Sequence, residues 1–159
     1  MAAFEDIKKV GVIGAGTMGR GIVMNFVNAG YPVTWLDVNG EMLEKGKVEI
    51  AAVYKRSVAQ ERFDDAEAQA RLARISTTQE YADLADLDLV VEAVYENMDL
   101  KKKIFTELDK AVKPSAILAT NTSYLDIDEI ASATQRPTQV LGLHFFSPAH
   151  IMKLLEVVR

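Results

Sequence analysis

The order of apolar runs and amphipathic stretches predicts an α/β chain, a doubly wound and mainly parallel sheet with helices on both faces. Three observations carry that reading. An apolar run at residues 9–13 passes directly into Gly14-Ala15-Gly16-Thr17-Met18-Gly19, and a helical pattern follows at once. A second apolar run ends in Asp37, eighteen residues after Gly19. Five more short apolar runs alternate with helical stretches up to residue 158. Strand, glycine turn, helix, strand and acid in this order make the predicted fold of the Rossmann type.

The elements follow from the residues. The first strand spans 9–13. The helix after it spans 17–29 and is stopped by Gly30. The second strand spans 32–36, with Trp35 packing in the core. A long helix is predicted over 41–60, and a shorter one, capped by Asp64 or Asp65, ends near Ala73. The third strand is short, 75–77, and a small helix covers 80–85. The buried run 87–94 holds the fourth strand. A helix over 99–112 is ended by Pro114. The fifth strand spans 117–120. Asp126 with Glu129 three residues later has the form of a capping box for a helix ending near Ala133. The sixth strand spans 140–145, Pro148 breaks the chain, and the last strand spans 154–158. No internal repeat or low-complexity segment is present. The stretch 41–74 is long for a crossover and rich in both charge signs. It reads as a solvated helical pair, with an arm that binds a ligand's tail as the alternative.

Each part of the glycine turn has a physical task. Gly14 permits the tight turn out of the strand, Gly16 lets the backbone approach a pyrophosphate, and Gly19 lets the helix pack closely on the sheet. The free N–H groups at the helix start, with the helix dipole, favour phosphate charge. Asp37 suits the hydroxyl pair of an adenosine ribose. Its carboxylate would repel a 2′-phosphate, and no Arg follows it in Val38-Asn39-Gly40. The expected cofactor is therefore NAD rather than NADP. An ordinary βαβ turn rich in glycine is the bland alternative.

The bulk numbers narrow the function. The 159 residues suffice for one domain with a real core. A net charge of −5 argues against nucleic acid or an anionic membrane as the main partner. The chain has no cysteine, which excludes disulfides, thiolate nucleophiles and cysteine-held zinc, and no metal site is expected. The N-terminus, Met1-Ala2-Ala3-Phe4-Glu5-Asp6, has neither a basic start nor an apolar core, so no signal peptide is expected. No run approaches membrane-spanning length. The expected location is the cytoplasm.

Four segments carry a resemblance. They are Val91-Glu92-Ala93-Val94-Tyr95-Glu96-Asn97, Ala119-Thr120-Asn121-Thr122-Ser123, Gly142-Leu143-His144-Phe145-Phe146-Ser147-Pro148 and Met152-Lys153-Leu154-Leu155-Glu156-Val157-Val158. With the glycine turn they resemble the NAD-binding domain of L-3-hydroxyacyl-CoA dehydrogenases, over nearly the whole chain. The resemblance implies His144 as catalytic base, Glu156 as its acidic partner and Ser123 as a hydrogen-bond partner of the reacting oxygen. It implies Glu96 and Lys101 near the nicotinamide and phosphates, and Asn121 near the nicotinamide ribose. Thr17 and Met18 between the glycines, and Ala93 at the end of the fourth strand, complete the expected cofactor-binding set.

The chemistry of the pair stands beside the resemblance. Alcohol oxidation needs a base for the O–H proton while a hydride leaves the carbon, and imidazole suits that task near neutral pH. A carboxylate on the other ring nitrogen fixes the tautomer. Glu156 interrupts an apolar run, where a charge is costly unless paired. A packed strand-end histidine is the bland reading of His144. His150 reads as a loop or surface residue, and Lys102 as part of a solvated helix face. Lys55 and Arg56 are possible contacts for coenzyme A phosphates.

The chain departs from the family pattern at two points. Short single-function members usually carry Asn-Pro after His-Phe-Phe, whereas this chain has Ser147-Pro148-Ala149-His150. That form resembles the dehydrogenase part of multifunctional β-oxidation proteins, which an enoyl-CoA hydratase part precedes. The expected organisation is a single NAD-binding domain over 1–159, without the C-terminal helical domain that in the family supplies an active-site asparagine, the acyl pocket and dimer contacts. The expected partners are an acyl-CoA substrate, that C-terminal domain and a fused hydratase, in an oligomeric full-length protein. Two alternatives stand: a dehydrogenase of a small hydroxy acid or sugar acid on the same scaffold, or a non-catalytic NAD-binding module.

Overall fold

A computed structural model describes residues 6–159; the reading of the N-terminus as free of a signal peptide rests largely on residues outside that range. Six parallel strands are β1 (Val10–Ile13), β2 (Val33–Leu36), β3 (Ile75–Thr78), β4 (Leu89–Glu92), β5 (Ile117–Thr120) and β6 (Val140–Phe145). The antiparallel β7 (Leu155–Val158) closes the edge, and the sheet order is β3-β2-β1-β4-β5-β6-β7. The direction of winding reverses beside β1, which pairs with both β2 and β4. A crevice forms there, outside the carboxyl ends of the strands. Among the described residues the helices are α1 (Thr17–Asn28), α2 (Gly40–Ala59), α3 (Asp65–Ala73), α4 (Met98–Ala111) and α5 (Ile127–Ala131), with 3-10 turns at Tyr81–Leu84 and Pro137–Gln139.

Alternation along the strands builds two cores. Val10 and Val12 of β1 join the cluster formed with α1 and α2, while Ile13 joins Leu36, Val90, Ile104 and Phe105 on the opposite face. Both faces are covered at the centre of the sheet, so β1 is buried along its whole length rather than alternating with polar residues.

Side-chain caps place the helix starts, and several differ from expectation by a residue. Asn39 accepts from the N–H groups of Glu41 (3.0 Å) and Met42 (3.3 Å), so α2 begins at Gly40. Asp64, not Asp65, caps α3 through the Glu67 N–H at 2.8 Å. Asn97 caps α4 through the Leu100 N–H at 2.9 Å. Asp126 caps α5 as expected, but Glu129 pairs with Lys102 instead of reaching back to complete a capping box. Arg136, largely buried, satisfies the end of α4 by donating to the carbonyls of Asp109 (3.0 Å) and Val112 (3.3 Å) and to the Asp109 carboxylate (2.7 Å).

The stretch after β2 is a packed pair rather than a free arm along its inner face. Leu43, Ile50 and Tyr54 of α2 are buried, and the Tyr54 hydroxyl donates to Asn28 of α1 at 2.6 Å. The Arg71 guanidinium of α3 lies 4.1 Å from the Phe63 ring centroid. Burial pushes the Tyr54 phenol up to about 12. Lys55 and Arg56 are exposed and do not line the cleft described below.

Candidate functional site

A cleft of about 1130 Å³ opens at the carboxyl ends of the parallel strands. Its floor is the turn from β1 into α1. Gly14 sits at φ +108°, and a Cβ there would lie 2.5 Å from the Ala93 carbonyl oxygen. A Cβ on Gly19 would lie 1.8 Å from the Gly14 carbonyl oxygen. Both positions therefore exclude a side chain for reasons internal to the fold. The Gly14 N–H donates to Leu36 at 2.9 Å, and its carbonyl accepts from the Trp35 indole at 2.8 Å. Trp35 is thus core packing and an anchor for the turn together.

Gly16 differs from its two neighbours. It is the N-cap of α1, its φ is −75°, and a Cβ there would meet nothing within 4 Å. No side chain caps α1 and no acid stands in its first turn. Open space in front of uncapped helix N–H groups suits a pyrophosphate. Gly16, Thr17 and Met18 line the cleft, while Gly19 is buried behind it.

Asp37 follows β2 and faces the same turn. Its carboxylate accepts from the N–H groups of Ala15 (2.7 Å) and Asn39 (2.8 Å), which hold it at the rim. Beside it Val38, Met42, Tyr81, Leu100 and Ile104 form an apolar wall fit for an adenine ring. Burial, and then the carboxylates of Glu107, Glu92 and Asp37, push the Tyr81 phenol up and keep it neutral. These wall residues were missed in the sequence because each also reads as ordinary core or helix face. The same holds for Lys103 and Glu107, which line the cleft from α4.

The loop after β4 forms the next wall through Ala93, Val94, Tyr95 and Glu96. Lys101, expected against the cofactor, is not a lining residue. It is fully buried, 2.6 Å from Glu92 and 3.3 Å from Glu96. Glu92, also fully buried, is a charged residue that sequence reasoning left within its strand.

At the far end Asn121, Ser123 and His144 to Ser147 line the cleft. The Asn121 side-chain oxygen accepts from the Phe145 N–H at 2.9 Å, tying the loop after β5 to the end of β6. Ser123 is exposed at the mouth. His144 and Glu156 are direct cross-strand partners of β6 and β7, with Nδ1 and Oε2 3.1 Å apart. Phe146 packs on the imidazole with ring centroids 4.5 Å apart. The cost argument for Glu156 was mistaken: all of β7 is exposed and the Glu156 side chain is 58 % exposed, so no burial penalty forces the pair. The register does. His150 lies in the half-buried turn that follows, and burial with the nearby Arg20 charge holds its imidazole below the ordinary range.

Residues 9–159 match the family model described as 3-hydroxyacyl-CoA dehydrogenase, NAD binding domain. The chain is 47 % identical over 158 residues to the peroxisomal bifunctional enzyme of Cavia porcellus, covering 99 % of this chain and 22 % of that protein. It is 42 % identical over 150 residues to the 3-hydroxybutyryl-CoA dehydrogenase of Clostridioides difficile, covering 94 % of this chain and 53 % of that one. The crystal structure of M. tuberculosis FadB2 superposes with a TM-score of 0.93 at 40 % identity, covering 96 % of this chain and 54 % of that one. This chain thus spans about a fifth to a half of the length of such relatives. Among the described residues no helix is long and apolar enough to cross a membrane.

Proposed function

The chain belongs to the 3-hydroxyacyl-CoA dehydrogenase family, as its NAD-binding domain, and from that premise we propose that it is the cofactor-binding, base-bearing part of an enzyme that oxidises L-3-hydroxyacyl-CoA to 3-oxoacyl-CoA in fatty-acid β-oxidation. The observation that carries the reading is the His144–Glu156 pair at the mouth of the cleft, with Nδ1 engaged at 3.1 Å. A module that only holds NAD needs no such pair. NAD, when bound, supplies the acceptor for the hydride that leaves the substrate carbon. Gly16 and the N-terminus of α1 hold its pyrophosphate, and Asp37 its adenosine ribose. Glu96 and Asn121 face its nicotinamide half.

Glu156 accepts the Nδ1 proton of His144, which leaves Nε2 with a lone pair to take the substrate hydroxyl proton. As that proton arrives, the Glu156 carboxylate balances the imidazolium, and Phe146 keeps the ring from turning away. Ser123 donates to the reacting oxygen. An acyl-CoA substrate fits the names of the relatives, and their greater length leaves room for the further partners we propose: a C-terminal dehydrogenase domain and a fused hydratase, in an oligomeric protein. The cytoplasm suits a cysteine-free chain, and so does the peroxisome named for the Cavia relative. The test is a panel of L-3-hydroxyacyl-CoA thioesters and free 3-hydroxy acids, given to the longer protein and followed by NADH absorbance. Turnover of the thioesters alone is expected. Preference for the free acids would move the chain to small hydroxy acids.

A further inference from the structure

A glycine inside a helix weakens it relative to alanine, yet α1 carries Gly21 in its interior, buried. The reason lies on the turn after β6. A Cβ on Gly21 would stand 2.9 Å from the Ala149 Cβ and 3.3 Å from the Ala149 N. Ala149 is buried in turn. Asn25 shares the Gly21 face of α1 one helical turn on, and its side-chain amide donates to the Ala149 carbonyl at 2.7 Å. The Arg20 charge, from the same helix, reaches His150. The turn is itself closed, since the N–H groups of Ile151 and Met152 both donate to the Pro148 carbonyl at 2.9 Å. Ala149 is thus presented on a tight turn and gripped by α1 at its methyl and its carbonyl. Just before it in the chain, Phe146 packs on the His144 imidazole, and Phe146 and Ser147 line the cleft.

We infer that Gly21 and Asn25 are positioning residues for the base: through Ala149 they clasp the turn after β6 to α1 and so hold Phe146 and His144 in place over the cofactor. The inference deepens the proposed reading and rests on it. The sheet alone leaves this turn without a strand partner, because β6 ends at Phe145 and β7 begins at Leu155. α1 supplies the missing reference. In the proposed reading its N-terminus holds the pyrophosphate, and its side grips Ala149, so one rigid helix sets the spacing between cofactor and base. Neither Gly21 nor Asn25 lines the cleft; both act through the turn. The segment Ser147-Pro148-Ala149-His150, where the chain departs from single-function members, thereby acquires a task.

Loss of the clasp slows the chemistry and spares cofactor binding, a split that a merely structural role would not give. The longer protein is assayed for turnover of an L-3-hydroxyacyl-CoA thioester, with a calorimetric NAD titration and a thermal melt of each sample. Misplacing a reacting group by about 1 Å costs up to about 10²-fold. Gly21→Ala forces a smaller displacement and should lower kcat by about tenfold, with NAD affinity held within about twofold. Asn25→Ala should lower kcat by up to the roughly tenfold that one neutral hydrogen bond carries. It adds no atom to the contact and remains a good helix former, so it carries the test if Gly21→Ala melts early. Ala149→Gly removes the methyl that Gly21→Ala strikes, and the double variant should recover most of the lost kcat. In the 159-residue chain the His144 imidazole resonances, read by NMR, should move in each single variant and return in the double one. Unchanged kcat in both single variants, parallel losses of kcat and NAD affinity, or a double variant without rescue would each overturn the clasp. A wild type that turns over no thioester would overturn the proposed reaction instead. The imidazole resonances then decide the clasp by themselves: if they stay in place in both single variants, it is overturned.

Discussion

A side chain at Gly16 separates the needs of the fold from those of the cofactor. In Gly16→Val the new Cβ meets no protein atom within 4 Å, and the backbone is already extended at φ −75° and ψ −173°. No clash and no strain arise, so stability should move by no more than about 0.5 kcal/mol. The valine instead fills the space in front of the uncapped N–H groups of α1. A pyrophosphate displaced from there forfeits about two charge-assisted hydrogen bonds at about 1.5–3 kcal/mol each. The sum of about 3–6 kcal/mol lowers NAD affinity by about 10²- to 10⁴-fold. Gly19→Ala is the contrasting case. Its Cβ would stand 1.8 Å from the Gly14 carbonyl oxygen and 2.8 Å from the carbonyl carbon, so turn or helix must shift. Overpacking of that kind costs about 1–3 kcal/mol, and the melting temperature should fall together with NAD binding. Far-UV circular dichroism, a thermal melt and a calorimetric titration on one sample of each variant decide the matter. A Gly16→Val chain that is folded and binds NAD as wild type does would refute the placement of the pyrophosphate. One that loses its fold would refute the packing argument.

The same titration applied to Asp37→Ala should show roughly ten- to a hundredfold weaker NAD binding, from lost ribose contacts and a loosened Ala15 N–H; equal affinities of wild type for NAD and NADP would sink that role. In a longer protein carrying the substrate domain, His144→Gln should lower kcat by about 10²- to 10⁴-fold with NAD affinity unchanged, and Glu156→Gln should also slow turnover; near-normal kcat for His144→Gln would remove the histidine from the chemistry. Burial pushes the Asp88 carboxyl up, but the Lys113 ammonium and the N–H groups of Lys8 and Lys9 outweigh it and hold the group at about 2. Since the folded value lies below the ordinary 3.8, the contribution is complete above that pH and is lost as pH falls from about 4 towards 2. Asp88→Asn should therefore destabilise the chain by about 1–2 kcal/mol at pH 7 and hardly at all at pH 2, read as urea midpoints; an equal effect at both pH values would show that the charge does not matter.

The glycine turn and Asp37 were legible in the sequence because their spacing encodes a local shape. Strand, turn and helix are neighbours in the chain, and side chains within a few residues dictate them. The starts of α2 and α4 slipped by one residue for a local reason as well, since Asn39 and Asn97 cap the N–H groups one residue ahead of the periodic pattern. The apolar wall of Tyr81, Leu100 and Ile104 was illegible because burial against a cofactor and burial in a core select the same residues. Glu92 was hidden inside a run of strand-forming residues, and nothing local marks a carboxylate whose partners come from the next helix and the next strand.

The sequence by itself determined the alternation of strands and helices, the cofactor turn with its acid, and the residue types that acid–base chemistry requires. Only the tertiary structure decided how the charges are placed when they meet. Lys101, which the resemblance places near the nicotinamide and phosphates, lies beneath the loop after β4, buried against Glu92 by the inward face of α4 and the end of β4. Glu156 looked like a buried acid in need of a partner, but its strand is an exposed edge. What brings it to His144 is the antiparallel register of β6 and β7. Register and helix packing are long-range outcomes, set by how whole elements bury their apolar faces. No window of sequence short enough to read by pattern contains them.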